Sequence, residues 1–377
     1  MRDWRKWLGA ALGLSAALVL VGASTPPTES PALGRLGPIL SECDGAIQEV
    51  VIQYVPAAEE SVAAVYRDFL AQLPAGVGVR VICPQPADYE KLCARVGPVA
   101  CSLKPLFAGH EMTCWSRDRW LAFAPAGPGE PSTLYLPRGE AGEDRWPQRA
   151  GDRRLGFELS NAMEGVAARR SNLYFDGGDI MGDSETVFVA PAVLRRNLQH
   201  TVASREELED ELRRIFAGRR VVLLEEVPDH HLGMFMMVTG RRSVLVGDPA
   251  LARRTLSLSG AEESSLCTCG DDFSAETQKR FDNAAAQCAA AGYRVSRLPV
   301  VPGRDGRAYI TYLNVLLDRR DGRAIVYLPA YRRAEALNAA AEEAWRFAGW
   351  EARRVDATKV YPHGGVLHCL VNVLRRG

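Results

Sequence analysis

Near its C-terminus the chain reads His363-Gly364-Gly365-Val366-Leu367-His368-Cys369, and the apolar run Leu370-Val371-Asn372-Val373-Leu374 follows. Paired glycines admit positive φ and close backbone approach, so the segment reads as a turn that leads into a buried strand and aims Cys369 into a cleft. A thiolate is a strong nucleophile where histidine, a cationic substrate or backbone dipoles lower its pKa. Read alone, the residue is more often a buried structural cysteine. Upstream, Cys114-Trp115-Ser116-Arg117-Asp118-Arg119-Trp120 sets a carboxylate between arginines, ordinarily the mark of an ion pair. Tyr174-Phe175-Asp176-Gly177-Gly178-Asp179-Ile180 ends a strand in two carboxylates around a glycine pair, either a plain β-turn or a way to present an acid to a ligand without crowding. Asp229-His230-His231-Leu232-Gly233 gives adjacent histidines, whose side chains point to opposite faces, so at most one faces a given cleft. Tyr309 to Leu317 places Asn314 inside an apolar strand, where its amide must be hydrogen-bonded.

The elements that must position these residues recur along the chain. A helical pattern passes through Ala-Gly into a β-branched run at Gly76, Gly218, Gly292 and Gly349, and Phe157 to Gly165 ahead of Ser171-Asn172-Leu173-Tyr174-Phe175 supplies a fifth candidate unit. Five helix-plus-strand units predict an α/β repeat architecture, propeller-like if closed, with an open doubly wound sheet as the alternative.

The balance of 47% apolar and 24% charged residues is that of an ordinary soluble chain, long enough at 377 residues for one large domain or two ordinary ones. Forty-six basic against 46 acidic side chains leave no net field, which argues against nucleic acid or an anionic membrane surface as partner. Arg2, Arg5 and Lys6 precede an apolar stretch from Trp7 to Val21 and the small residues Gly22 and Ala23, the pattern of a secretory leader over residues 1–23. An uncleaved N-terminal membrane anchor is the alternative, and either places the remainder outside the cytoplasm, secreted or periplasmic. Residues 24–45, rich in Pro, Ser and Gly, read as a linker to a single domain over 46–377. Nine cysteines in an oxidising compartment suggest eight paired as disulfides and one free. Cys267-Thr268-Cys269 lacks a second pair at zinc-finger spacing, so no metal is expected.

As an ordered set the five chemical segments, spanning residues 115 to 370, resemble those of guanidino-group-modifying enzymes, in particular agmatine deiminases and secreted bacterial peptidylarginine deiminases. The resemblance implies the pentein fold, a five-bladed α/β propeller. It also implies Cys369 as nucleophile, His231 as acid and base, Asp118 and Asp176 as guanidinium-binding carboxylates, and Asn314 as a site-lining amide. Trp115, Asp179 and Gly365 are further candidates at the substrate, and His368 is expected to point away from the nucleophile. Two departures from the family pattern stand out. Asp176 replaces the usual Glu, and Gly233 stands where most deiminases place the Asp of His-x-Asp. A charge-assisted hydrogen bond contributes about 1.5–3 kcal/mol, so that loss could cost about a hundredfold unless Asp179 or Asp229 compensates.

The activity implied is hydrolysis of a guanidinium on arginine, peptidyl-arginine or agmatine to a ureido group, through a covalent thiouronium and with no cofactor. An amidinotransferase would use the same intermediate with an amine acceptor. A weak or inactive relative that only binds arginine-containing ligands is the reading Gly233 motivates. A papain-like protease is disfavoured, because its cysteine precedes its histidine.

Overall fold

The structure, a computed structural model, describes residues 36–139, 147–228, 231–259 and 265–377. The strands of these residues form five sheets in a mixed α/β fold. The first runs Val371–Arg376, Ile47–Gln53, Gly78–Cys83, Ser102–Phe107, and the second Leu121–Phe123, Ser132–Leu136, Val166–Arg170. Ile180–Gly182, Thr186–Val189 and Arg220–Leu223 make the third, and Met236–Gly240, Ser243–Asp248, Arg294–Pro302 and Tyr309–Thr311 the fourth. Leu316–Arg320, Arg323–Ala330 and Glu351–Asp356 make the fifth.

Every sheet repeats one arrangement: an antiparallel pair whose second strand is joined by helix to a parallel neighbour. The crossover helices are Glu59–Gln72, Pro147–Ala162, Arg205–Ile215 with Pro191–Asn197, Ala275–Ala290 with Pro249–Leu258, and Glu335–Phe347. In the first sheet the antiparallel partner is the C-terminal strand, so the two ends of the fold share one sheet. Helix Glu59–Gln72 shows why these residues fold this way. Its buried Val62, Val65, Tyr66, Phe69 and Leu70 recur at three- and four-residue spacing, and Glu59 and Glu60 favour its N-terminal dipole.

The repeat legible in the sequence is present. Gly76, Gly165, Gly218, Gly292 and Gly349 each lie between a helix and its parallel strand with φ between +70° and +90°. At four of them a Cβ would meet nothing within 4 Å, so the left-handed conformation, not space, requires glycine.

Three boundaries differ from expectation. The strand after Gly165 is Val166–Arg170, because the Ser171 hydroxyl accepts the Leu173 amide at 3.0 Å and turns the chain before Tyr174. The apolar run from Tyr309 to Leu317 is two strands in different sheets. Thr311 Oγ1 accepts the Leu313 amide at 3.2 Å, breaking the run just before Asn314. Residues 36–45 are no linker: Leu36–Gly377 pack as one unit, Leu40 N donates to Ala122 O, and Ile39, Glu42 and Cys43 are buried. The expected leader and residues 24–35 lie outside the described residues, among which no helix is long and apolar enough to cross a membrane.

Disulfide pairing is corrected too: all nine cysteines are free thiols. Most fill separate core positions, and burial pushes Cys43, Cys83, Cys114, Cys267 and Cys288 up to about 12. Among the described residues no His/Cys/Asp/Glu cluster has the makings of a metal site.

Candidate active site

Cys369 sits in a short helical turn, Leu367–Leu370, that follows Gly364 at φ +84° and leads into the last strand. The residue is 2% exposed, and its sulfur lies 3.8 Å from His231 Nδ1. Asn314 clamps it, with Nδ2 donating to Sγ at 3.3 Å and Oδ1 accepting the Cys369 amide at 3.3 Å. The loop carrying Asn314 is held in turn by Trp345, whose Nε1 donates to Tyr312 O at 2.9 Å.

On its other edge His231 faces acids. Its Nε2 is 3.7 Å from Asp118 Oδ1 and 4.0 Å from Asp176 Oδ2. Burial alone would push the imidazole down, but the charge of Asp118 and the contacts with Asp176 and Cys369 outweigh it and raise the pKa well above that of an ordinary histidine. Asp118 is steadied by Arg119, 3.2 Å from its Oδ2 and 3.0 Å from Asp152, while its Oδ1 is buried without a hydrogen-bond partner. A buried carboxylate oxygen left open beside a nucleophile is suited to receive a cationic N–H.

Asp176 begins the turn Gly177–Asp179. Burial would raise its pKa, yet His231 and Arg196 hold it well below the usual carboxylate range. The double glycine here is a matter of space. A Cβ on Gly177 would lie 2.1 Å from Arg117 O, and one on Gly178 would lie 2.8 Å from the His231 ring. Trp115 and Gly365 meet for a similar reason: a Cβ on Gly365 would sit 2.5 Å from the indole and 3.1 Å from Cys369 Cβ.

Asp179 occupies a different place from the one its spacing suggested. It is fully buried behind the turn, accepts the Asp176 amide at 2.8 Å and pairs with Arg196. Asp229 and His230 lie outside the described residues. The space above Gly233 is lined by Asn314 Nδ2 and His368 Nδ1, at 3.0 and 3.2 Å from where a Cβ would stand. Sequence reading passed over Glu42 and Arg196, and met Arg117 only as a neighbour of Asp118. Charged residues in a Pro-rich arm or on a helix carry no local sign that they will be buried and paired. Asp176 also borders a shallow open cleft whose walls include Arg138, Asp152, Arg153, Arg170 and Phe175.

A cysteine, a histidine raised by two carboxylates and an amide clamp meet on five small α/β sheets, the set that the resemblance to guanidino-modifying enzymes implies. Solved structures share the fold. Agmatine deiminase of Enterococcus faecalis matches at TM-score 0.67 and 15% identity, over 91% of this chain and 98% of that one. Agmatine deiminase of C. jejuni with substrate bound matches at TM-score 0.66 and 15% identity, over 90% and 96%. No curated protein matches the sequence. The sequence profile of Porphyromonas-type peptidyl-arginine deiminases matches residues 51–373, and the chain belongs to that family of pentein-fold hydrolases, which act on C–N bonds of amidines.

Proposed function

We propose that the chain hydrolyses the guanidinium of an arginine to a ureido group and ammonia. The observation that carries this reading is the placement of His231 between the Cys369 sulfur, 3.8 Å away, and the carboxylates of Asp118 and Asp176. The planar cation binds between the two acids, which hold its carbon near Sγ. Sulfur attacks that carbon, and His231, charged in the resting site, gives its proton to the departing nitrogen, which leaves as ammonia. The neutral histidine then takes a proton from water attacking the thiouronium. The C–S bond breaks as the adduct's hydroxyl loses its remaining proton, which leaves with the ammonia as ammonium, and the ureido product forms while thiolate and charged His231 are restored. Asn314 steadies the sulfur throughout, Trp115 over Gly365 closes one wall, and Asp179 supports Asp176 from behind.

Arg138, Arg153 and Arg170 line the same cleft as Asp176, with Arg170 tied to Pro137 O at 3.0 Å and Arg153 O at 2.9 Å, and we read this arginine-rich wall as favouring a substrate that carries a carboxylate as well as a guanidinium. Free arginine or arginine at a peptide end meets that description, and agmatine does not. We read the five sheets as the blades of a closed propeller, an arrangement supported by the shared sheet of the chain ends. We also read residues 1–23 as an export leader.

The test is ammonia release by the purified chain from arginine, an arginine peptide, methylated arginine and agmatine, with Cys369→Ala as control. Release from arginine or its peptide, absent in the variant, is expected. Release from none of the four would favour an arginine-binding relative, an undiminished rate in Cys369→Ala would remove the thiol from the chemistry, and product that forms only with an added amine would mean amidino transfer.

A further inference from the structure

Glu42 enters from the segment ahead of the first strand and ends in the wall behind the nucleophile. Its carboxylate is buried, with Oε2 3.1 Å from His368 Nε2 and Oε1 accepting from Arg117 at 2.5 Å. Arg117 also donates to the carbonyls of Gly177 at 3.2 Å and Ile180 at 3.0 Å. Each of these partners is a chain neighbour of a site group: His368 of Cys369, Arg117 of Asp118, and Gly177 of Asp176. A single carboxylate thus reaches the three loops that present the sulfur and both acids. Its own backbone is fixed as well, the amide donating to Gly182 O at 2.9 Å and the carbonyl accepting from Arg376 at 2.8 Å.

We propose that Glu42 is a positioning residue for the deiminase reaction, setting Cys369 in register with Asp118 and Asp176 through His368 and Arg117. This rests on the reading of Cys369 as the nucleophile. Charge-assisted bonds between buried groups are short and directional, so they fix the peptide units on which they hang. His368 passes that constraint on directly, because its own amide donates to Asn314 O at 3.2 Å and the next amide, of Cys369, bonds Asn314 Oδ1. Burial and the Arg117 cation keep the pKa of His368 below that of an ordinary histidine. A neutral imidazole donating from Nε2 to Glu42 leaves Nδ1 as an acceptor over Gly233, in the place where the family pattern has a carboxylate. Reacting groups shifted by about 1 Å lose about a hundredfold in rate, the scale of effect open to a residue that touches no substrate.

The experiment measures alkylation of Cys369 in the folded chain by two reagents, read by mass spectrometry. The cation of 2-chloroacetamidine must be seated by the acids with the sulfur in line, whereas iodoacetamide needs only an accessible thiol. Glu42→Gln and His368→Leu are expected to slow chloroacetamidine by about tenfold or more while iodoacetamide stays within about threefold. His368→Gln, whose amide nitrogen reaches Glu42 as Nε2 does, should remain within about threefold of the unsubstituted chain for both. The proposal is overturned if all three variants match the unsubstituted chain, or if His368→Gln and His368→Leu are equally slow at similar melting temperature. Should Glu42→Gln fail to fold, the two His368 variants decide. An unsubstituted chain that shows no preference for the amidinium reagent sinks the parent reading and this one with it, a failure told apart because it precedes any substitution.

Discussion

Asp118 Oδ1 and His231 Nε2 face each other at 3.7 Å in a buried site, with the Cys369 sulfur 3.8 Å from the opposite imidazole nitrogen. Against the pull of burial, Asp118, Asp176 and Cys369 raise the imidazole pKa well above that of an ordinary histidine.

The pH dependence follows. Because the folded pKa of His231 is raised, its charge adds stability in full below the unfolded value near 6.5, and that contribution fades as pH rises through the folded pKa. His231→Gln should therefore lower the melting temperature most in mildly acid solution, with the gap closing as pH rises. Melting curves of both proteins across pH would refute this if the gap widened with pH. Asp176 works in the opposite sense: its pKa is depressed, so its contribution is present above about 3.8 and is lost on acidification.

Asp118→Asn keeps the shape and removes the charge offered to the substrate cation. Losing one charge-assisted bond of about 1.5–3 kcal/mol should lower kcat/KM by about ten- to a hundredfold, with circular dichroism unchanged. Steady-state kinetics on the preferred guanidine would contradict the assignment if kcat/KM held.

Gly178→Ala drives a methyl to within 2.8–3.0 Å of the His231 ring. The ring must move away from the sulfur or the acids, and kcat should fall by about tenfold or more. Unchanged kcat would mean the imidazole can yield without cost.

Gly233→Asp restores the family's carboxylate in sequence only. Its Cβ would press on Asn314 and His368, the groups that steady Cys369, and the new acid would face the His368 imidazole. We expect a loss of activity on every guanidine tested. A gain on small guanidines would show that the space opens toward the substrate.

Arg196 pairs with both Asp176 and the fully buried Asp179. Removing one partner of a buried pair strands the other, so Arg196→Met should destabilise the fold by about 3–5 kcal/mol, and Arg196→Lys by less. Urea unfolding at neutral pH measures both, and a cost below about 1 kcal/mol would place this pair with ordinary surface bridges.

Much was legible in the sequence because the causes are local. The helix, the Ala-Gly turn and the β-branched strand each follow from periodicity and from the φ that only glycine adopts cheaply, so the fivefold repeat could be read without coordinates. So could the five chemical segments, whose order resembles the guanidino-modifying enzymes. Tertiary structure decided what depends on partners distant in the chain. The amide of Asn314 meets Cys369 across 55 residues, and Glu42 reaches His368 across 326, through a segment whose composition suggested a loose arm. Whether a charged side chain is solvated, ion-paired or turned onto a substrate is an energy balance between burial and its neighbours. Folding brings those neighbours together, and the sequence around Asp179, Arg196 or Glu42 holds no record of them.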